Sequence, residues 1–245
     1  MSNPLIVCIC PAHQHPEFVD RAVRCLVRQS YPERYMLLLN TMGAVYVTPE
    51  GVQFSDLFSL HKPEWRVKTV GALRNELIKW SMNLICTIRS GQMVQAPDPD
   101  YIAHFDYDDI SSPSRLAVQL AHIQKTGKLV TGFYDCPMYD VKHDKVWMYE
   151  NPRHSPYAVG CSLFYKREAW EKHKFPDRTP EDNLWRNAVG GENIESRSVW
   201  ENGKPLMIQV IHGGNASASI VRSSVYYKEP SEAQEKAVRE LLQSA

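Results

Sequence analysis

Short apolar runs alternate with helical patterns along the first half of the chain. Residues 5–10 are continuously apolar, which is typical of a strand buried on both faces of a sheet. Apolar positions within residues 17–29 recur at helical spacing, and Arg21 and Arg24 lie off that face. A second apolar run at residues 35–39 predicts another buried strand. This strand–helix–strand order predicts a parallel sheet covered by helices on both faces.

The remaining elements follow from the same kinds of pattern. Residues 41–63 are predicted to be irregular because glycines and prolines interrupt them, and residues 65–69 are predicted to form a third strand. Residues 71–83 show helical spacing, and another helix is predicted to begin at Ser112-Pro113 with Ser112 as its N-cap. Further strands are predicted at residues 101–105, 129–133, 146–149, 162–165 and 206–211, and further helices at residues 167–173 and 181–188.

The end of the chain predicts an amphipathic helix over residues 231–243. Ser231 and Gln234 stand at the spacing of a capping box, in which each side chain accepts a backbone N–H at the start of the helix. Neither a linker-like stretch nor an internal repeat divides the sequence, so we expect a single domain.

The composition excludes several classes of protein. Lys plus Arg and Asp plus Glu number 28 each, so the net charge of zero gives no reason to expect strong non-specific binding to nucleic acid. No stretch approaches the roughly 20 apolar residues that span a bilayer, and the N-terminus lacks the basic region and cleavage site of a signal peptide. None of the six cysteines forms a C-x-x-C pair, which predicts free thiols in a reducing, cytoplasmic compartment.

Three carboxylates follow directly after the strand predicted at residues 101–105. In open α/β sheets, ligands bind at the carboxyl ends of strands. Asp106 and Asp108 are two residues apart, so on extended backbone they point the same way, and their charges repel unless a cation lies between them. A hard divalent cation such as Mg²⁺ or Mn²⁺ suits this arrangement. The alternative is a solvated acidic turn in which Asp109 interacts with the dipole of the next helix.

Three further positions carry candidate chemistry. Asp182, next to Glu181, precedes an apolar helical pattern and is either a general base or a plain charge at a helix N-terminus. His212 follows the strand predicted at residues 206–211 and is either a metal ligand or a loop residue. Arg74 offers a charged fork suited to phosphate, although most helix arginines are simply solvated.

Taken together, these segments resemble the family 2 glycosyltransferases. The resembling segments stand in the family's order: a strand, helix and strand with the turn Gln-Ser-Tyr-Pro, then VGALRNELI, HFDYDDISSPSRL with its D-x-D motif, PEDNLWRN and IHGGNAS. The resemblance implies an α/β GT-A fold, with a Rossmann-like nucleotide-binding half and a mixed, mainly parallel central sheet flanked by helices. Within one domain it implies a nucleotide-sugar-binding half at residues 1–110, an acceptor half at 111–220 and a C-terminal helix at 221–245.

The resemblance assigns the aspartate cluster to the donor and its metal ion. Asp108 would bind the cation directly, and His212 would complete the metal shell. Asp106 would face the nucleotide ribose or the metal. Asp109 would orient the site or touch the donor sugar. The cofactor implied by this ligand set is Mn²⁺ or Mg²⁺.

The resemblance also assigns the acceptor side and the nucleoside pocket. Asp182 would be the catalytic base, with Glu181 beside it contacting the acceptor. The chain departs from the family after the second strand, where the family usually has Asp-Asp-Gly-Ser and this chain has Asn-Thr-Met-Gly. The resemblance therefore does not identify the nucleotide base or the sugar of the donor. The residues implied to line the nucleoside pocket or to lie near it are Pro11, Ala12, Asn40 and Arg74.

These assignments predict a metal-dependent, inverting glycosyltransferase that moves a hexosyl or pentosyl group from a nucleoside-diphosphate sugar to an acceptor hydroxyl. The acceptor class stays open between a small molecule, a protein and a hydroxylated base in DNA. The missing G-x-G-x-x-G after the first strand argues against a nicotinamide dehydrogenase. Two alternatives remain: a metal-dependent hydrolase that uses His13 and His15 with the aspartate cluster, and a non-catalytic module that binds a nucleotide sugar.

Overall fold

The computed structural model describes residues 3–12, 16–41, 57–62, 64–65, 68–87, 93–95, 97–151, 154–213 and 226–245. The helices within these residues are α1 (Pro16–Val27), α2 (Val70–Ser81), α3 (Arg115–Thr126), α4 (Arg167–Lys172), α5 (Glu181–Val189) and α6 (Glu232–Ser244). The strands of the first half are β1 (Ile6–Ala12), β2 (Arg34–Asn40), β3 (Leu57–His61), β4 (Ile85–Thr87), β5 (Met93–Gln95), β6 (Tyr101–His104) and β7 (Ile110–Ser111). Those of the second half are β8 (Val130–Thr131), β9 (Asp135–Asp140), β10 (Lys145–Glu150), β11 (Phe164–Lys166), β12 (Trp200–Glu201), β13 (Lys204–Pro205), β14 (Met207–Ile211) and β15 (Tyr227–Lys228).

Six strands form the central sheet, in the order β3–β2–β1–β6–β11–β8. Strand β1 pairs in parallel with both β2 and β6, and β2 pairs in parallel with β3. Strand β11 runs antiparallel to its neighbours β6 and β8. All residues of β1 are buried, as expected for a central strand covered on both faces. The prediction of a mixed, mainly parallel sheet flanked by helices is confirmed.

Alternate residues of β1 pack into two separate cores on opposite faces of the central sheet. Cys8 belongs to the core that includes apolar side chains of α1, α3 and α6. Val7 belongs to the core that includes apolar side chains of α2, α4 and α5. Because helices cover both faces in this way, the edge formed by the carboxyl ends of the parallel strands is the place where a ligand can approach the sheet.

A second sheet of five strands has the order β15–β10–β9–β14–β7. Strand β7 pairs antiparallel with β14, which in turn pairs in parallel with β9. The chain passes from β6 of the central sheet to β7 of the second sheet through residues 105–109. The aspartate cluster therefore lies at the junction of the two sheets, and β14 ends immediately before His212.

The strand predicted at residues 65–69 is wrong at residues 65, 68 and 69, and residues 66–67 lie outside the described part of the chain. Residues 64–65 form a short 3-10 turn, and Thr69 is the N-cap of α2. The Thr69 hydroxyl accepts the Ala72 N–H at 3.2 Å and donates to the Asp177 carboxylate at 2.6 Å, so it fixes the start of the helix and not a strand. The stretch predicted to be irregular at residues 41–63 contains strand β3.

Helix α3 begins later than predicted. Its N-cap is Ser114, whose side chain makes no capping hydrogen bond, and not Ser112. The reason is that the Ser112 N–H still donates to the carbonyl of Leu206, which extends the pairing beside β7 and β14. Strand β9 was not predicted. The capping box of α6 is confirmed, because Ser231 and Gln234 accept each other's backbone N–H groups.

The prediction of free thiols is confirmed for the five cysteines whose side chains are described. The buried free cysteines are Cys8, Cys10, Cys25, Cys136 and Cys161.

Across the described residues, no helix combines the length and the apolar character needed to cross a membrane.

Candidate active site

The residues predicted for the nucleoside pocket lie together at the carboxyl ends of β1 and β2. Ala12 and Asn40 are register partners in the parallel pair, and both are fully buried. Pro11 is also buried. The backbone N–H and the hydroxyl of Thr41 both donate to the Ala12 carbonyl, at 2.9 and 3.1 Å, and fix the chain as it leaves β2. The structure therefore brings these three predicted residues to one edge of the sheet.

Arg74 on α2 connects the aspartate cluster to the N-terminus of α5. Its Nη1 donates to Glu181 Oε1 at 2.7 Å, and its Nη2 donates to both oxygens of Asp106, at 3.1 and 3.2 Å. The side chain is buried. Burial disfavours its charge, but Asp106 and Glu181 outweigh this and raise the pKa of Arg74. Two carboxylates from distant segments are thus held by one guanidinium.

Glu181 sits where α2 and α5 approach closely. A Cβ atom added to Gly71 would lie 2.4 Å from the Pro176 carbonyl and 3.0 Å from the Glu181 Cβ, so a side chain at Gly71 would push the two helices apart. Burial raises the pKa of Glu181, and the charge of Arg74 opposes that rise. The glycine therefore permits the close approach that lets Arg74 reach Glu181.

Asp108 and His212, predicted to share a metal ion, are brought together. Asp108 Oδ2 lies 3.1 Å from His212 Nε2. Burial and the neighbouring Asp106 raise the pKa of Asp108, whereas the hydrogen bond with His212 lowers it. Helix α1 supports the pair: Arg21 Nη2 donates to the Asp108 carbonyl at 2.6 Å, and the Phe18 ring centroid lies 4.9 Å from that of His212.

Asp109 faces the second sheet. Its Oδ1 accepts the Val210 N–H of β14 at 3.2 Å, and the side chain is 4% exposed. Burial, followed by the charges of Asp108 and Asp106, raises its pKa well above the ordinary value. The structure therefore places Asp109 as a buried connection between the aspartate cluster and β14, and its predicted contact with the donor sugar stays a prediction.

Asp182 stands in the first turn of α5. Its Oδ1 accepts the N–H of Asn183 at 2.8 Å. Its Oδ2 lies directly against Gly160, where an added Cβ would be only 2.0 Å away. Asp182 borders a cavity of about 530 Å³ between the two sheets' ends and α5. The cavity is also lined by Arg74, Asp106, Glu181, Gly160, Tyr149, Tyr157, Tyr226 and Tyr227.

Two positions that contribute to this site were not singled out from the sequence. Gly160 lies in an apolar stretch of small residues, where nothing marks it as a neighbour of Asp182. Arg21 carries a basic charge on the polar face of α1, and its bond to Asp108 joins residues 87 apart in sequence. The only signal in the sequence is the residue type, a glycine or an arginine. The partner of each residue is distant in sequence and becomes known only from the fold.

A divalent cation is compatible with the Asp108–His212 pair. Neighbouring ligands of an octahedral ion with bonds of about 2.1 Å lie about 3 Å apart, which matches the 3.1 Å between Asp108 Oδ2 and His212 Nε2. Carboxylate oxygen suits Mn²⁺ and Mg²⁺, and neutral imidazole is a common metal ligand. No group of three His, Cys, Asp or Glu side chains is arranged around a metal position in the described part of the chain. An ion held here would therefore complete its shell with phosphate oxygens and water.

Asp106, the third predicted metal ligand, accepts hydrogen bonds from Arg74. The histidines of the hydrolase alternative, His13 and His15, lie outside the described residues.

Comparisons with known proteins identify the fold. No protein-family model and no curated protein sequence matches the chain. The chain is similar to the crystal structure of S. aureus TarS 1–349 in complex with UDP-GlcNAc, with a TM-score of 0.60 and 15% identity over 97% of this chain and 65% of that one. It is also similar to the mannosyltransferase PcManGT from Pyrobaculum calidifontis in complex with GDP-Man and Mn²⁺, with a TM-score of 0.58 and 12% identity over 90% of this chain and 61% of that one.

These likenesses confirm the predicted GT-A fold. At such low identity they show the fold alone. The chain spans less than two thirds of the length of the two solved structures.

Proposed function

We propose that this protein transfers a sugar from a nucleoside-diphosphate donor to an acceptor hydroxyl. The observation that carries the proposal is that Asp106, at the donor end, and Asp182, at the start of α5, line one cavity of about 530 Å³. That volume suits a small-molecule site. Solved structures with a similar fold hold UDP-GlcNAc, or GDP-Man together with Mn²⁺, which supports a donor of the same class.

The donor side of the site contains the aspartate cluster and the ends of β1 and β2. Asp108 and His212 would hold Mn²⁺ or Mg²⁺, and Asp106 would face the ribose or the metal. Asp109 would fix the backbone of the cluster through β14. A cation bound there supplies Lewis-acid stabilisation to the negative charge that develops on the leaving diphosphate. The nucleoside would lie against Pro11, Ala12 and Asn40.

The acceptor side of the site is α5. Asp182 would accept the proton of the acceptor hydroxyl as that oxygen attacks the anomeric carbon. Glu181, held by Arg74, would orient the acceptor beside it. Attack from the face opposite the leaving diphosphate is a single displacement and inverts the anomeric configuration. The chain needs no second nucleophile for this reaction.

A screen of nucleotide sugars tests the proposal in two stages. In the first, melting temperature is measured with UDP- and GDP-linked sugars, each with Mn²⁺ and with a chelator. A donor that binds the folded state raises the melting temperature by mass action. In the second stage, the donor found is mixed with candidate acceptors, and release of the nucleoside diphosphate is measured.

We expect at least one donor to stabilise the protein only when Mn²⁺ is present, and Asp182→Asn to retain that binding while losing transfer. Failure of every nucleotide sugar to bind would contradict the proposal. Release of phosphate from simple esters without a sugar donor would favour the hydrolase instead.

A further inference from the structure

A second cavity lies beside the first along α5. Its volume is about 570 Å³. The two cavities share Tyr157, Asn183 and Tyr226 as lining residues. Asn151, Asn187 and Arg186 also line the second cavity, and among its described lining residues Arg186 is the only charged one. The two cavities therefore adjoin at these three side chains, next to Asp182.

Arg186 is a buried cation without an ionic partner among the described residues. It is 6% exposed. Its Nη2 donates to Asn183 Oδ1, and its guanidinium carbon lies 4.4 Å from the centre of the Tyr157 ring. Its Nη1 is buried and has no hydrogen-bond partner anywhere in the described structure. A buried charge is costly unless it is paired, so this guanidinium is prepared for a negatively charged ligand.

Asp182, the acidic residue of α5 best placed to pair with Arg186, makes other contacts. Asp182 and Arg186 are four residues apart on α5, a spacing at which opposite charges commonly pair. Asp182 instead accepts the Asn183 N–H with one oxygen and packs its other oxygen against Gly160. The carboxylate and the guanidinium thus remain available, on one face of the helix and about 5–6 Å apart at their Cβ atoms.

We propose that the second cavity binds an oxyanion, a phosphate or a carboxylate, that belongs to the acceptor. The inference rests on the proposed function, because it assigns the acceptor hydroxyl to Asp182 and the acceptor's negative charge to Arg186. The substrate class is then a hydroxyl compound whose reactive oxygen and anionic group lie about one helical turn apart. The Arg186 guanidinium, which borders this cavity, donates to the oxyanion, and the Tyr157 ring packs against that guanidinium.

Inorganic phosphate and acetate are the probes for this site. Each is titrated into the full chain while the arginine side-chain ¹H–¹⁵N signals are recorded. We expect saturable binding in the millimolar range that shifts the Arg186 signal, and an Arg186→Gln variant that binds the same anion at least tenfold more weakly. The tighter of the two anions identifies whether the acceptor carries a phosphate or a carboxylate. Arg24→Gln, on an exposed position of α1, removes the same charge and should bind within twofold of the parent.

Competition separates this site from the donor site. Saturating UDP or GDP with Mn²⁺ should leave anion binding at Arg186 intact. Displacement by the nucleotide would overturn the inference, because the oxyanion would then be the donor diphosphate. Equal binding by Arg186→Gln, or no saturable binding of either anion by the parent, would overturn it as well. Anion binding without any nucleotide binding would instead contradict the proposed function while still supporting the anion site.

An Arg186→Met variant distinguishes a ligand site from a structural role. Since the unpaired charge contributes no ion pair within the described structure, its replacement by an apolar side chain of similar length should leave the melting temperature of the ligand-free protein unchanged or raise it. A large loss of melting temperature would show that Arg186 stabilises the fold, and would overturn the inference.

Discussion

The charged side chains of the aspartate cluster and those of α5 differ in whether they have partners within the protein. In the cluster, Asp106 is bound by Arg74, Asp108 by His212, and Asp109 by a backbone N–H of β14. On α5, Asp182 and Arg186 face two adjoining cavities and make no ion pair with any described residue. Each carboxylate of the cluster therefore has a partner among the described residues, whereas Asp182 and Arg186 have no ionic partner there.

From this difference we infer that the two regions have different roles in the proposed reaction. Internally paired charges are preorganised, so they keep their geometry when a donor diphosphate and its cation arrive. Charges without an ionic partner are available to a charged ligand, at some expense of stability. The fixed region therefore suits the invariant part of a transfer reaction, and the incomplete region suits the acceptor. Substitutions in the two regions should accordingly have different consequences.

The largest effect is expected from Asp182→Asn. The amide cannot accept the acceptor proton, so kcat should fall by about 10³, within the range for loss of a general base. The measurement is the initial rate of nucleoside-diphosphate release at saturating donor. Glu168→Gln, an exposed acid in the first turn of neighbouring α4, is the matched control and should keep the parent rate. An Asp182→Asn variant as fast as the parent would remove the base assignment.

The next effect is on stability and separates the two arginines. Arg74→Met leaves the partly buried carboxylates of Asp106 and Glu181 without their cation, which should cost up to about 3 kcal/mol in the free energy of unfolding. The same change at Arg186 breaks no ion pair with a described residue, so it should leave the free energy of unfolding unchanged within about 1 kcal/mol or raise it. Urea unfolding of both variants measures the difference. Equal losses would show that the two regions do not differ as described.

A smaller effect is expected from Gly160→Ala. The added methyl group would meet Asp182 Oδ2 at 2.0 Å, and the carboxylate is a movable side-chain end, so the fold should survive while Asp182 turns away. A displaced catalytic group should lower kcat by about 10²-fold or less. The control is the same substitution in the Asp182→Asn background, where it should change kcat little. Additive losses would mean that Gly160 acts independently of Asp182.

The smallest effect is a pH dependence caused by Glu181. Its pKa is raised in the folded protein, so the native state binds more protons than the unfolded state in the range above its ordinary value of about 4.3. Its contribution to stability is therefore complete below that value and is lost as the pH rises through the folded pKa. Glu181→Gln should flatten this fall by about 1 kcal/mol per pH unit at most. The check is urea unfolding of both proteins from pH 4 to 8, and parallel curves would contradict it.

Local patterns were sufficient for the framework of the fold. The continuous apolar runs predicted β1 and β2 because a strand covered on both faces has no polar side to reveal. The same reasoning placed Asp106 and His212 at the ends of strands, and the structure places Asp108 and His212 within 3.1 Å. The capping box at Ser231 depends only on neighbouring residues and was predicted correctly.

Features that depend on distant residues were missed. Strand β9 contains Pro137, which is unusual inside a sheet, so its sequence gave no strand signal. The local pattern predicts a strand at Thr69, whereas its hydroxyl donates to Asp177, 108 residues away, and caps α2. The pairing of Arg74 with Glu181 spans 107 residues and was equally invisible. Such contacts are decided by packing, which a local pattern does not contain.

The most direct test of the account is the coupling between cation and donor at Asp108. Calorimetric titration would measure the affinity of the donor found in the screen, with Mn²⁺ and with a chelator, for the parent and for Asp108→Ala. We expect Mn²⁺ to tighten donor binding to the parent at least tenfold, and this gain to disappear in Asp108→Ala. Equal donor affinity in Mn²⁺ and in chelator, or an undiminished gain in Asp108→Ala, would contradict it.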